Sequence, residues 1–164
     1  MQRQDPTRRI VRQQGKARRL PTGARCIDCG ESDPLTLVRG SAPIRCMNCH
    51  ADGRGKSRTE RHHPSGRNND PKLTVAISRN DHAVLSDAQQ DWPERTLTNP
   101  DGSPLLKAAA AIRAWVDTLR LIMERAVGWI PEWLEALEEW LCQQVGDRWW
   151  EHFEHWRSDE EESR

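Results

Sequence analysis

Two Cys-x-x-Cys pairs near the N-terminus constrain the fold of this chain more than any other feature of its sequence. Cys26 and Cys29 form the first pair, and Cys46 and Cys49 form the second, with 16 residues between the pairs. Two residues between thiolates allow a tight turn to direct both sulfurs at one ion, and two such turns complete a tetrahedral shell. The spacing predicts a closed structural Zn²⁺ site in a zinc ribbon at residues 22–54.

Other chemistries remain open for these cysteines, because iron or a redox dithiol would use the same pairs. His50 also completes the C-x-x-C-H pattern of haem attachment. No apolar run follows the N-terminus, and no segment reaches the roughly 20 apolar residues of a spanning helix. We therefore expect a cytoplasmic protein, in which paired cysteines are more often metal ligands than disulfides. Cys142, far from the two pairs, is expected to be a packing residue.

Charge is divided sharply along the chain, although the net charge is zero. Residues 1–67 carry 15 Lys or Arg and 6 Asp or Glu, whereas residues 68–164 carry 10 and 19. Most of the basic residues are Arg, whose planar guanidinium suits phosphate oxygens. We predict that residues 1–21 form a disordered basic arm that contacts nucleic acid through Arg8, Arg9, Arg12, Arg18 and Arg19. The alternative is a tail that only improves solubility.

Histidines and polar residues are concentrated in residues 55–91. His62 and His63 end a predicted strand, and because side chains alternate across a strand, one can bind a metal while the other faces a substrate. A loop rich in Gly, Pro and Asn follows, and then a second predicted strand at residues 73–77. A predicted helix opens next, with Asn80 or Ser78 as its cap, and carries His82 in its first turn. The order is strand, loop, strand, helix.

Three motifs in this region, Glu60-Arg61-His62-His63, Gly66-Arg67-Asn68-Asn69 and Asn80-Asp81-His82, together resemble the HNH, or ββα-metal, nuclease family. The resemblance implies a metal-dependent endonuclease or nickase that hydrolyses phosphodiesters, with double-stranded DNA as the substrate and Mg²⁺, Mn²⁺ or Zn²⁺ as the catalytic ion. The chain departs from the family at residues 78–81, where many members carry a further Cys-x-x-Cys.

The same resemblance assigns roles to individual residues. It implies that His63 is the general base and that His62 and His82 hold the catalytic ion. It also implies that Asn68, Asn69 or Asn80 orients the base, and we expect Arg67 to contact the nucleic acid. Two plainer readings stay open: Asn80 as a simple helix cap, and the adjacent histidines as part of a purely structural metal site.

Residues 103–158 are predicted to be helical, after a linker at residues 92–102. Apolar residues recur at i, i+3, i+4 and i+7 in two long segments, which Gly128 and Pro131 separate. A short third helix is expected around Trp149, Trp150, Phe153 and Trp156, followed by a disordered acidic tail at residues 159–164. The apolar stripes and their tryptophans form either a helical core or a surface for a homodimer or a protein partner.

Together these features predict an α+β chain: a small zinc ribbon and a ββα-metal core, followed by a helical hairpin of two long helices and a short third helix. The leading function is metal-dependent endonuclease activity with a structural Zn²⁺ and a catalytic divalent ion. One alternative is a zinc-ribbon adaptor that binds nucleic acid through a degenerate core. Another is an assembly protein that acts through its Trp-rich helices. Membrane binding is not expected, because the polar helical face is acidic.

Overall fold

The computed structural model describes residues 7–152, apart from the side chains of Arg8, Arg9 and His152. Contacts divide the chain into two units, with the boundary between Leu121 and Ile122. The predicted acidic tail at residues 159–164 and the end of the predicted third helix lie outside the described residues. The described elements are α1 Thr7–Ala17, α2 Met47–Asp52, β1 Thr59–His62, β2 Val75–Ser78, α3 Arg79–Gln89, α4 Glu94–Thr98, α5 Pro104–Val127, α6 Ile130–Val145 and a 3₁₀ helix at Trp149–His152.

The mixture of helices with a small sheet agrees with the predicted α+β class. In the cysteine segment, the strand expected at residues 35–38 is reduced to a single antiparallel bridge between Leu37 and Cys46. A small apolar cluster supports this bridge, formed by three of the four cysteines and Leu37. So small a cluster cannot by itself offset the conformational entropy of the segment, which makes a metal crosslink the natural source of stability.

The only sheet in the described residues is the antiparallel pair of β1 and β2, and α3 follows β2 directly. In the register of this pair, Thr59 lies opposite Ser78 and His62 lies opposite Val75. Ser78 caps α3, because its hydroxyl accepts a hydrogen bond from the backbone N–H of Asp81 at 3.0 Å. The order of elements is therefore the one that the sequence predicts, with Ser78 rather than Asn80 as the cap.

The basic N-terminal segment differs from its prediction. Disorder is expected through residue 21, whereas residues 7–17 form α1 and its side chains contact α3. Arg12 Nε lies 2.8 Å from Asp87 Oδ1, and Lys16 Nζ lies 2.9 Å from the same oxygen. A second carboxylate, that of Asp91, lies 2.8 Å from Arg12 Nη2. Composition alone does not reveal these acidic partners, because they are distant in sequence.

Residues 92–102, expected to be a linker, are packed into the first unit. Trp92 is only 4% exposed and contacts Ala110 and Ala114 of α5. Its indole N–H donates to Asp117 Oδ2 at 2.8 Å, so both the ring and its polar group are satisfied. The segment that joins α3 to α5 therefore carries a part of the core.

The two long helices have boundaries close to those predicted. A side chain at Gly128, just after α5, would bring its Cβ to 2.5 Å from the carbonyl oxygen of Glu124, so the site requires glycine. Pro131 lies in the first turn of α6, where its missing N–H is not needed. Across the described part of the chain, every helix is too short or too polar to cross a membrane.

Candidate functional site

The four cysteines predicted to bind zinc come together. Their sulfurs all lie within 4.8 Å of one another, and Cys29 Sγ is 3.7 Å from Cys46 Sγ. A tetrahedral Zn²⁺ site with Zn–S bonds of about 2.3 Å places its sulfurs about 3.8 Å apart. The geometry therefore fits a structural metal such as zinc, and with four protein ligands it leaves no position for a substrate.

Backbone turns hold each pair of cysteines in this arrangement. Gly30 donates its N–H to the carbonyl of Cys26 at 2.9 Å and adopts a positive φ of 78°, which favours glycine. In the second pair, Cys46 caps α2, and its sulfur accepts from the N–H of Cys49 at 3.5 Å. Each sulfur pair is thus positioned by local backbone structure.

The protonation of these thiols also favours a bound cation. Burial raises the pKa of Cys49 far above its ordinary value, and the neighbouring cysteines act in the same direction. For Cys26, burial raises the pKa, but hydrogen bonds from backbone N–H groups outweigh it and lower the pKa to about 6. Four clustered sulfurs cannot all become thiolates without compensation, and a divalent ion supplies that compensation.

The first unit also brings together two of the three predicted site histidines. His62, at the end of β1, is only 4% exposed. Its ring packs edge-on against the ring of His82 in α3, with centroids 5.1 Å apart. Burial lowers the pKa of His62 to about 4, and the nearby His82 and His63 add to the effect. His62 is therefore neutral near pH 7, which is the form of imidazole that binds metals.

Glu60 completes this pair, although the sequence prediction gave it no role. One carboxylate oxygen lies 2.8 Å from His82 Nδ1, and the other accepts from Arg79 Nη1 at 2.7 Å. A carboxylate bound to Nδ1 orients the ring and leaves Nε2 available as a ligand atom. The sequence contains one indication of a role for Glu60: side chains alternate along a strand, so Glu60 and His62 lie on the same face of β1.

His63 lies beside this pair and is half-buried. Its Nδ1 atom is buried and has no hydrogen-bond partner among the described residues. Buried polar atoms are almost always paired, so this nitrogen is an exception. The backbone around it is nevertheless fixed, because Gln89 Nε2 donates to the carbonyls of His63 at 3.0 Å and Pro64 at 2.7 Å. Gln89 is a second site residue that the sequence prediction missed.

The predicted asparagines form their hydrogen bonds with groups other than the histidine rings. Asn68 is exposed and donates to the carbonyl of Leu97, whereas the buried Asn69 donates to the carbonyls of Ser65 and Thr96. Asn80 binds residues of the cysteine segment. Each amide stabilises a loop or a junction, and no described hydrogen bond joins one of them to a histidine ring.

The predicted nucleic-acid contacts fall into three groups. Arg12 is engaged with Asp87 and Asp91, and these contacts raise the pKa of its guanidinium. Arg18, Arg19 and Arg67 have exposed side chains. The side chains of Arg8 and Arg9 lie outside the described residues. Within the described part of the chain, the exposed arginines remain candidates for contact with phosphate.

Among the described residues, the four cysteines are the only group of three or more His, Cys, Asp or Glu side chains with ligand atoms close enough to share one ion. No protein-family model, no curated protein and no solved structure matches this chain. The centre with the clearest chemistry is thus a four-cysteine cluster that could hold a structural metal. A histidine pair with a carboxylate partner lies in the same unit.

Proposed function

We propose that this chain is a metal-dependent endonuclease that hydrolyses phosphodiester bonds in double-stranded DNA. One observation carries the proposal: β1 and α3 bring His62 and His82 together, with Glu60 bound to His82. Two imidazoles, one of them oriented by a carboxylate, are typical ligands of a catalytic divalent metal. Such a site has few protein ligands and so leaves coordination positions for water and substrate. A closed site would have no such positions.

The proposed chemistry requires a cation and a base. His62 and His82 would hold the divalent ion, which when bound neutralises charge on the phosphate oxygens. His63 would take the proton of the attacking water, a role that suits an imidazole. The water oxygen then bonds to phosphorus, the P–O bond to one sugar oxygen breaks, and that oxygen takes up a proton from solvent. The ring of His63 is only half-buried, and its Nδ1 has no hydrogen-bond partner in the described structure, so the side chain is not committed to another group there.

Binding of the substrate is assigned to the exposed arginines. Arg18, Arg19 and Arg67 would contact phosphate groups, and each such contact makes affinity fall with rising salt. The cysteine cluster has a structural role in this proposal: it would bind Zn²⁺ and support the segment that contacts α3. The two metals would therefore serve different purposes, with folding separated from catalysis.

The test is cleavage of a supercoiled plasmid by the purified zinc-loaded chain with added Mg²⁺, Mn²⁺ or Zn²⁺. This substrate distinguishes a nick from a double-strand cut. We expect His63→Ala to abolish cleavage while DNA binding stays unchanged, and His50→Ala, a histidine in α2, to cut like the wild type. Absence of cleavage with every metal, or full activity of His63→Ala, would overturn the proposal.

A second function is favoured by a different observation. Asn68, Asn69 and Asn80 are all bound to groups outside the histidine site, and no third ligand joins His62 and His82 in the described residues. A zinc-ribbon adaptor that binds nucleic acid without cutting it would have this arrangement. DNA binding that weakens steeply with salt, without cleavage under any of the conditions above, would select this alternative.

A further inference from the structure

The two long helices carry apolar stripes that nothing covers in the described structure. The α5 stripe consists of side chains that are 45–68% exposed: Ile112, Trp115, Val116, Leu119, Ile122 and Met123. The α6 stripe consists of side chains that are 50–55% exposed: Trp133, Leu134, Trp140 and Val145. Scattered apolar residues are normal on a surface, but a continuous stripe along a helix marks a contact face.

The area of these stripes is close to what a stable interface needs. A fully buried tryptophan removes about 150–250 Å² from water, and the half-exposed residues of both stripes together offer on the order of 1,000 Å². A specific protein interface buries about 800 Å² on each partner. Tryptophan is also the residue most enriched among those that dominate binding energy. The exposed apolar area of the two helices is therefore large enough for a specific interface.

The charges on the two helices complement each other. α5 carries three Arg and one Lys against one Asp and one Glu, a balance of +2, whereas α6 carries four Glu and no basic residue, a balance of −4. Arg120 follows Val116 by four residues, and Glu138 follows Leu134 by four residues. Arg120 and Glu138 therefore lie on the same side of their apolar stripes when each helix is viewed from its N-terminus.

We propose that these stripes form a homodimer interface in which α5 of one copy packs antiparallel on α6 of a second copy. In an antiparallel pair, residues on the same flank face each other, which places Arg120 of one copy beside Glu138 of its partner. The charges favour a second copy of this chain as the partner, because each copy supplies both the basic helix α5 and the acidic helix α6. A two-fold axis then repeats the contact, as most homodimers do.

The test is analytical ultracentrifugation of the full chain over a wide range of concentration. We expect a dimer, with a blue shift of tryptophan emission as it forms. Arg120→Glu and Glu138→Lys should each weaken dimerisation about tenfold, because each reversal puts like charges together at two symmetric contacts. An equimolar mixture should recover wild-type affinity, since both contacts of the mixed dimer then join opposite charges.

Controls separate this effect from damage to the fold. Glu132→Lys changes charge on the opposite face of α6 and should leave dimerisation unchanged. Glu138 accepts a hydrogen bond from the indole N–H of Trp149 at 2.8 Å. Glu138→Gln keeps an acceptor oxygen for this bond and should weaken the dimer by a smaller factor than Glu138→Lys. A monomer at every concentration, or a mixture that associates no better than either variant alone, would overturn the proposal.

Discussion

Asn48 and Asn80 bind each other reciprocally: the backbone N–H of each donates to the side-chain oxygen of the other, at 3.1 and 3.2 Å. Asn48 lies in α2 between Cys46 and Cys49, and Asn80 lies in the first turn of α3, two residues before His82. The pair therefore joins the cysteine cluster to the helix that carries a site histidine. Asn80 also donates to Glu31 Oε2 at 3.3 Å, which adds a contact with the first half of the ribbon.

Asn80→Ala is expected to lower the free energy of unfolding by about 1–3 kcal/mol, because it leaves the partly buried N–H of Asn48 without its acceptor. Chemical denaturation measures the change. Asn68→Ala is the matched control, since it removes an exposed amide with one hydrogen bond and should cost no more than about 0.5 kcal/mol. Equal stability of the two variants would contradict the structural role of Asn80.

Cys49→Ser should remove the structural metal. We expect one zinc per wild-type chain by elemental analysis, none in the variant, and a lower melting temperature, because the binding free energy of a structural zinc contributes directly to folding. A strong chelator should reproduce the change in wild-type protein. Cys142→Ser, a cysteine of α6, is the control and should retain both the metal and the melting temperature. Full metal content in Cys49→Ser would show that the four sulfurs do not form the site.

Asp87 should make stability depend on pH at the acid end. Burial raises the pKa of this carboxyl, but hydrogen bonds from Arg12 and Lys16 outweigh it, so the folded pKa lies below the ordinary 3.8. Its contribution is fully present above pH 3.8 and is lost as the pH falls through the lower folded value.

Asp87→Asn should therefore be less stable than wild type by about 2 kcal/mol near pH 7 and should lose less stability on acidification. Denaturation at a series of pH values tests both effects. Asp91→Asn, with a more exposed side chain, is the control and should cost less than about 1 kcal/mol. Parallel pH profiles for wild type and Asp87→Asn would refute the prediction.

Glu60→Gln should weaken binding of Mn²⁺ to the histidine pair by about tenfold or more, because partners that orient metal-binding imidazoles typically contribute that much affinity. Calorimetric titration of zinc-loaded protein measures the affinity without reference to cleavage. Glu132→Gln, on α6, should bind as the wild type does. An unchanged affinity in Glu60→Gln would mean that the His82 ring needs no support from Glu60.

The cysteine cluster and the helix boundaries were predictable because their causes are local. The two residues between the cysteines of each pair determine the turn. Gly128 follows the last residue of α5, and only glycine fits there because a side chain would meet the preceding turn of the helix. The position of Asn80 was also predictable, but its role was not, since an asparagine at a helix start suits a cap, a site residue or a junction equally. Its partner, Asn48, is 32 residues away.

Long-range contacts account for the remaining differences. The basic segment contacts α3 through Asp87, which no local pattern connects to Arg12. Helical periodicity identifies the apolar faces of α5 and α6 but does not specify what covers them, so the exposure of Trp115 and Trp133 required a structure. The same limit applies to Glu60, because its contact with His82 depends on the pairing of β1 with β2.

The contact between Arg12 and Asp87 also imposes an order on the folding of the chain during its synthesis. The two residues are 75 positions apart, so α1 leaves the ribosome well before its acidic partner exists. At about 5–20 residues per second, that delay is about 4–15 s. The four cysteines, all within residues 26–49, emerge during the interval and can bind their metal first. α1, although made before the cysteine segment, thus reaches its native position only after the metal site can form.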